Sequence, residues 1–262
     1  MTLLKTYFIL LFFSVTNSYV LAQDIDMFRT IYFPAEPYGG AEELKSFVKQ
    51  EIVYPKSLLK EGIKGSVFIT YLIDSEGKVS YKEVIDYGNI DFRNEAERVF
   101  NKILWKADQH RANKDLGYEK IKFNFNPKRY TKLVKKRGYD SLPFNPLAVD
   151  SSAAYYTINQ LDVDPKITNA ESIDKFINAN FKYPNIALQM GISGRVTIEF
   201  IIEPYGLISN LRIIEAVGGG CNDETIRLIR AISWEPGIKN GIAVRTLYKY
   251  QLNFVHPGGT IR

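Results

Sequence analysis

Gly62-Ile63-Lys64-Gly65-Ser66-Val67-Phe68-Ile69-Thr70 returns further along the chain as Gly191-Ile192-Ser193-Gly194-Arg195-Val196-Thr197-Ile198-Glu199. The offset is 129 residues (191 − 62), and it holds in both directions without a gap. Upstream, Tyr54-Pro55 matches Tyr183-Pro184, Phe47 matches Phe176, and Ala41-Glu42 matches Ala170-Glu171. Downstream, Gly77 matches Gly206 and Ile85 matches Ile214. Glu95, Arg98 and Trp105 match Glu224, Arg227 and Trp234, and Asn124-Phe125 matches Asn253-Phe254. Glycines and tryptophans kept in one register mark an internal duplication, which decides every later assignment. The copies cover about residues 33–126 and 162–255.

Each copy reads as α-β-β-α-β. A short helix ends before Tyr-Pro, because a residue preceding proline avoids the helical region. A further helical turn runs to Gly62 or Gly191, where a left-handed C-cap is expected. Alternating residues then form a hairpin, with Gly77 or Gly206 supplying the positive φ of its turn. An amphipathic helix follows, over 92–104 or 222–233. In the second copy Ile226, Ile229 and Ile232 recur every three residues with Leu228 beside them. The last strand alternates as Ile121/Phe123/Phe125, and as Tyr248/Tyr250/Leu252/Phe254. The expected class is α+β: in each copy a small antiparallel sheet packs against helices, with Trp105 and Trp234 in the cores.

The rest of the chain bounds the function. Residues 1–22 read as a cleavable signal peptide: Lys5, a short apolar run over 7–15, and Val20-Leu21-Ala22 before Gln23. A bilayer span needs about 20 apolar residues, more than this run offers. A periplasmic location is therefore expected. Cys221 is the single cysteine, which rules out an internal disulfide framework and suits a small buried side chain. The net charge of +5 is concentrated between the copies, in Lys128, Arg129, Lys132, Lys135, Lys136 and Arg137. Residues 127–161 therefore read as a solvated basic linker. No nucleic-acid motif accompanies them. His110 and His256 have no ligand-spaced neighbours, so no metal, cofactor or catalytic group is assigned. Glu95/Arg98 and Glu224/Arg227 read as surface i,i+3 ion pairs. Gly218-Gly219-Gly220 lacks the ending of a phosphate loop and reads as a turn into a helix.

The second copy resembles the C-terminal domain of TonB energy transducers. The resemblance rests on Tyr183-Pro184, on Gly191 through Val196, and on Gly206. It continues through Gly218 to Glu224, Arg227, Trp234-Glu235-Pro236-Gly237, Asn240-Gly241 and Val244. The first copy keeps Tyr54-Pro55, Gly62, Gly65, Gly77 and Trp105 but has Lys106-Ala107-Asp108 after the tryptophan. The resemblance implies a non-enzymatic module that binds an outer-membrane receptor or another envelope protein by strand addition, with no small-molecule substrate. It implies a partner surface on Asn180, Phe181, Lys182 and Tyr183, and on Arg245, Leu247, Tyr248, Lys249, Tyr250 and Gln251. The chain has no proline-rich spacer of the kind a complete transducer carries, so an adaptor is the expected role. The alternative is an envelope scaffold that forms homodimers or binds peptidoglycan.

Overall fold

The computed structural model describes residues 35–107 and 118–258, so the expected signal peptide lies outside the described residues. The first repeat runs α1 (Gly40–Glu51), α2 (Lys56–Glu61), β1 (Gly65–Ile73), β2 (Val79–Asp86), α3 (Ile90–Asn101) and β3 (Glu119–Phe125). The second runs α5 (Ile173–Asn180), α6 (Asn185–Gln189), β6 (Gly194–Ile202), β7 (Ile208–Glu215), α7 (Cys221–Arg230) and β11 (Thr246–Phe254). In both, the first hairpin strand is central. The sheet orders are β2-β1-β3 and, leaving aside an added strand, β11-β6-β7. Gly65 faces Phe125 and Gly194 faces Phe254, so even the register is duplicated.

Alternation places Val67, Ile69, Phe123 and Phe125 in one core, and Val196, Ile198, Leu252 and Phe254 in the other. Trp105 and Trp234 are buried beside Tyr71 and Tyr248, with ring centroids 4.9 and 5.1 Å apart. Each hairpin turn is pinned to its tryptophan. A Cβ on Gly77 would lie 2.5 Å from the Trp105 carbonyl oxygen, and one on Gly206 would lie 2.4 Å from that of Trp234. These glycines therefore meet two demands: a positive φ and a close backbone approach. Cys221 is fully buried, and burial pushes its thiol pKa up.

The expected linker opens with a packed helix. Residues Pro127–Arg137 form α4, capped by the Asn126 side chain, which accepts from the Arg129 N–H, and ended by Gly138 at φ 86°. Tyr130 is buried against Tyr54, with centroids 5.3 Å apart, and Leu133 and Val134 pack on the first core. Arg137 donates to the carbonyl oxygens of Lys49, Gln50 and Ile52 at 2.8, 3.2 and 2.8 Å, closing the end of α1. The apolar stripe of Tyr130, Leu133 and Val134 spans a single helical turn. Six surrounding cations hide it from any reading of hydrophobic period.

Downstream, the chain lies along the second repeat. Asp150 donates to the Ala243 carbonyl at 3.0 Å, and Tyr156 donates to that of Arg245 at 2.9 Å. The short strand β4 (Tyr156–Thr157) pairs in parallel with β11 at Thr246 and Leu247. After it, β5 (Lys166–Ile167) pairs with β8 (Trp234–Glu235). A hairpin of β9 (Gly237–Lys239) and β10 (Ile242–Val244) turns on Asn240 and Gly241, at φ 51° and 74°.

Candidate functional site

The last strand of the second repeat carries five of the ten residues proposed for partner binding, and Arg245 immediately precedes it. Its inner edge is fully paired with β6, from Thr246 opposite Ile202 to Phe254 opposite Gly194. On its outer edge β4 covers only Thr246 and Leu247. From Tyr248 onward, no strand among the described residues pairs with that edge. Because the Arg245 carbonyl points to β4, and backbone groups alternate along a strand, Lys249, Gln251 and Asn253 point their N–H and C=O outward. All three are also exposed in their side chains.

Tyr248 and Tyr250 face the helices and are half-buried. Burial, then the Asp174 carboxylate, pushes the Tyr250 hydroxyl up to about 12. Burial also raises Tyr248, with Asp164 and Asp174 adding to it. Both phenols therefore stay neutral hydrogen-bonding groups at the border of core and solvent. Leu247 is half-buried beneath β4.

Arg245 does not belong to an exposed partner surface. It is 1% exposed. Its guanidinium holds both oxygens of Glu203, at 3.1 and 3.2 Å, and donates to the carbonyls of Lys102 and Ala153. A charge so placed is stable only because it is paired and its donors are satisfied.

The segment before the second Tyr-Pro is likewise partly structural. Glu224, on α7, accepts the Lys182 N–H at 2.7 Å. Arg227, one turn on, donates to Glu224 and to the Asn180 carbonyl, each at 2.7 Å. The first repeat has the same clamp: Glu95 accepts the Val53 N–H at 2.6 Å, and Arg98 donates to the Glu51 carbonyl at 2.7 Å. The i,i+3 pairs read as surface salt bridges are thus tethers that fix the chain entering Tyr-Pro. Asn180 also caps its own helix, with its amide on the Phe176 carbonyl at 2.8 Å. Phe181 packs on Phe254, centroids 5.3 Å apart, and the Tyr183 hydroxyl donates to the Ile192 carbonyl. Of this segment, only the Lys182 side chain and the Asn180 side chain stand exposed. Phe181, Tyr183, Tyr248 and Tyr250 all pack at the margins of the second core, so the two predicted stretches do share one cluster.

A feature absent from the sequence reading joins the two repeats. Lys102 is buried with its ammonium 3.1 Å from Glu51 and 3.2 Å from Glu203, and 3.3 Å from the Tyr205 hydroxyl. Ser209 donates to Glu203 at 2.7 Å. Asn210 adopts a left-handed φ of 50°, a conformation asparagine tolerates better than most side chains. Its side chain accepts from the Leu104 N–H at 2.8 Å and donates to the Lys102 carbonyl at 3.2 Å. Nearby, α1 lies on β7: a Cβ on Gly39 would stand 2.1 Å from the Leu211 carbonyl oxygen. Among the described residues no group of histidine, cysteine and carboxylates could hold a metal ion.

These features were compared with known proteins. A family model described as the Gram-negative bacterial TonB protein C-terminal matches residues 50–127 and again residues 179–256. No curated protein matches the chain. Among solved structures, the chain is similar to the TonB C-terminal domain of Helicobacter pylori at 16% identity and a TM-score of 0.25, over 33% of this chain and 92% of that one. It is also similar to that of Pseudomonas aeruginosa at 23% identity and a TM-score of 0.29, over 40% of this chain and 97% of that one. The two matched stretches fall one on each repeat and together take in more than half of the sequence: the chain belongs to the TonB C-terminal family.

Proposed function

We propose that this chain is an exported, non-enzymatic protein-binding module that acts as an adaptor in TonB-type outer-membrane transport. It takes an extended segment of a receptor onto the outer edge of β11. One observation carries the reading: the edge from Tyr248 to Phe254 has no strand partner among the described residues, and its outward backbone groups sit on exposed residues. Backbone pairing along such an edge supplies affinity, and the alternating side chains supply selectivity. Lys249 and Gln251 would meet the incoming segment directly. Tyr248, Tyr250 and Phe181 would form the apolar margin against which its inward side chains rest. The covering of Thr246 and Leu247 by β4 sets where pairing can begin. A periplasmic location rests on the leader-like residues 1–22.

The same free edge would also accept a second copy of this chain, as an envelope scaffold requires. One experiment separates the two. A photo-crosslinking residue replaces Gln251 in the full chain, expressed in cells with intact envelopes. The transport reading expects an adduct with an outer-membrane receptor. Adducts only with this chain itself or with cell-wall material would establish the scaffold instead.

A further inference from the structure

We propose that the first repeat carries a second, separate binding groove for an extended peptide with alternating apolar and acidic side chains. The groove, about 450 Å³, lies beside β3 with α1 on one side and α4 on the other. It depends on α4, which begins where the first family match ends at residue 127; among the described residues no helix follows β11 in the same way. No strand among the described residues pairs with the outer edge of β3.

The register identifies what would fit. Because Gly65–Phe125 repeats Gly194–Phe254, the outward backbone groups of β3 fall on Lys120, Lys122 and Asn124, all exposed in their side chains or nearly so. A strand added there would lie about 4.8 Å away and send alternate side chains to opposite faces. On the helical face they would enter the groove and cover Leu44, Val48, Ile121 and Leu133, which are apolar and only half-buried. On the opposite face they would meet Lys120 and Lys122, whose ammonium groups stand 5.6 and 4.9 Å from the Phe68 ring. Carboxylates are the complement of those cross-strand lysines.

The rim points the same way. Lys45, Lys49 and Arg129 border the groove, and no carboxylate among the described residues does. Lys45 already pairs with Glu42, whereas the whole of α4 carries no acidic residue. Apolar contacts would hold the peptide and the basic rim would select its charge, which makes association sensitive to salt.

The test is fluorescence anisotropy on the full mature chain with a labelled peptide of alternating leucine and glutamate, about eight residues long to span β3. Binding is expected, weakening roughly tenfold or more with added salt and in the double variant K49E/R129E. Lys122→Pro should abolish it by removing an outward N–H while leaving the ladder to β1 intact. Lys249→Pro, on β11, should leave it unchanged, so this site and the receptor site succeed or fail independently. An all-glutamate peptide and a leucine-lysine peptide should not bind. Equal binding of the all-glutamate peptide would overturn the groove in favour of bare charge attraction. Indifference to both K49E/R129E and K122P would overturn the site. Sedimentation of the chain with phosphatidylglycerol vesicles, without peptide binding, would assign the basic helix to membrane contact and overturn the proposal as well.

Discussion

Lys102 stands between two buried carboxylates whose pKa values shift in opposite directions. Burial pushes Glu51 up, and the neighbouring Glu203 charge adds to it. Lys102 and Arg98 oppose this without overcoming it. One Glu51 oxygen has no hydrogen-bond partner, which is the structural side of the same fact. Burial also acts to raise Glu203, but Arg245 and Lys102 outweigh it, and its pKa falls below the ordinary 4.5. The signs follow from proton linkage. Below 4.5 the unfolded chain binds the proton of Glu203 more readily than the folded one, so the stability it contributes is lost as pH falls through its depressed pKa. Above 4.5 the folded chain holds the proton of Glu51 longer than the unfolded one, so stability also declines as pH rises through the raised pKa. Thermal melts from about pH 3 to about pH 8 should therefore show two sloping limbs. Glu203→Gln should flatten the acidic limb, and Glu51→Gln the upper one. If neither substitution changes the curve, the two carboxylates are not the titrating groups.

At the scale of the element, β11 shows what a one-sided strand can tolerate. Its even-numbered residues from Tyr248 to Leu252 give their backbone groups to β6, while Lys249, Gln251 and Asn253 face away. Proline removes one donor, so its effect depends on which edge loses it. Proline at Lys249 should abolish receptor crosslinking from position 251 with little change in melting temperature. Proline at Tyr250 should break the ladder to β6 and destabilise the fold by about 3 kcal/mol or more. Identical behaviour at odd and even positions would refute the assignment of edges. The strand itself was legible because aromatic and polar residues alternate over its length. Its neighbour β4 was not. A two-residue parallel pairing leaves no period to read, and it is fixed by hydrogen bonds to residues about ninety positions away. Arg245 came to the partner surface through the family resemblance, which marks its position in the chain and not the distant partners, Glu203 and the Lys102 carbonyl, that bury it.

At the scale of the molecule, the duplication was legible as a repeat but not as a joint. Glycines, prolines and tryptophans mark each copy locally, so the gap-free offset predicts two equivalent folds. What the offset cannot show is how the copies meet, since Lys102, Glu203, Asn210 and Arg245 have no shared spacing or motif. In the structure the described residues form one unit, and the charges that Lys102 and Glu203 bring together come from both repeats. A buried ion pair is a poor source of net stability, yet removing one partner strands the other in a water-poor site. Arg245→Ala would leave Glu203 with Lys102 as its charged partner and Ser209 as its neutral donor, and would take a donor from the Lys102 carbonyl, a cost of about 3–5 kcal/mol. Because that carbonyl also accepts from Asn210, the loss falls on the contact between the repeats as much as on the second core. Calorimetry of the intact chain should therefore give one transition whose calorimetric and van't Hoff enthalpies agree. In Arg245→Ala the transition should move down and split, the two repeats melting separately. A single, unsplit transition lowered to the same extent would mean that Arg245 supports only its own repeat. Two transitions already present in the unsubstituted chain would mean that the buried charges do not couple the copies at all.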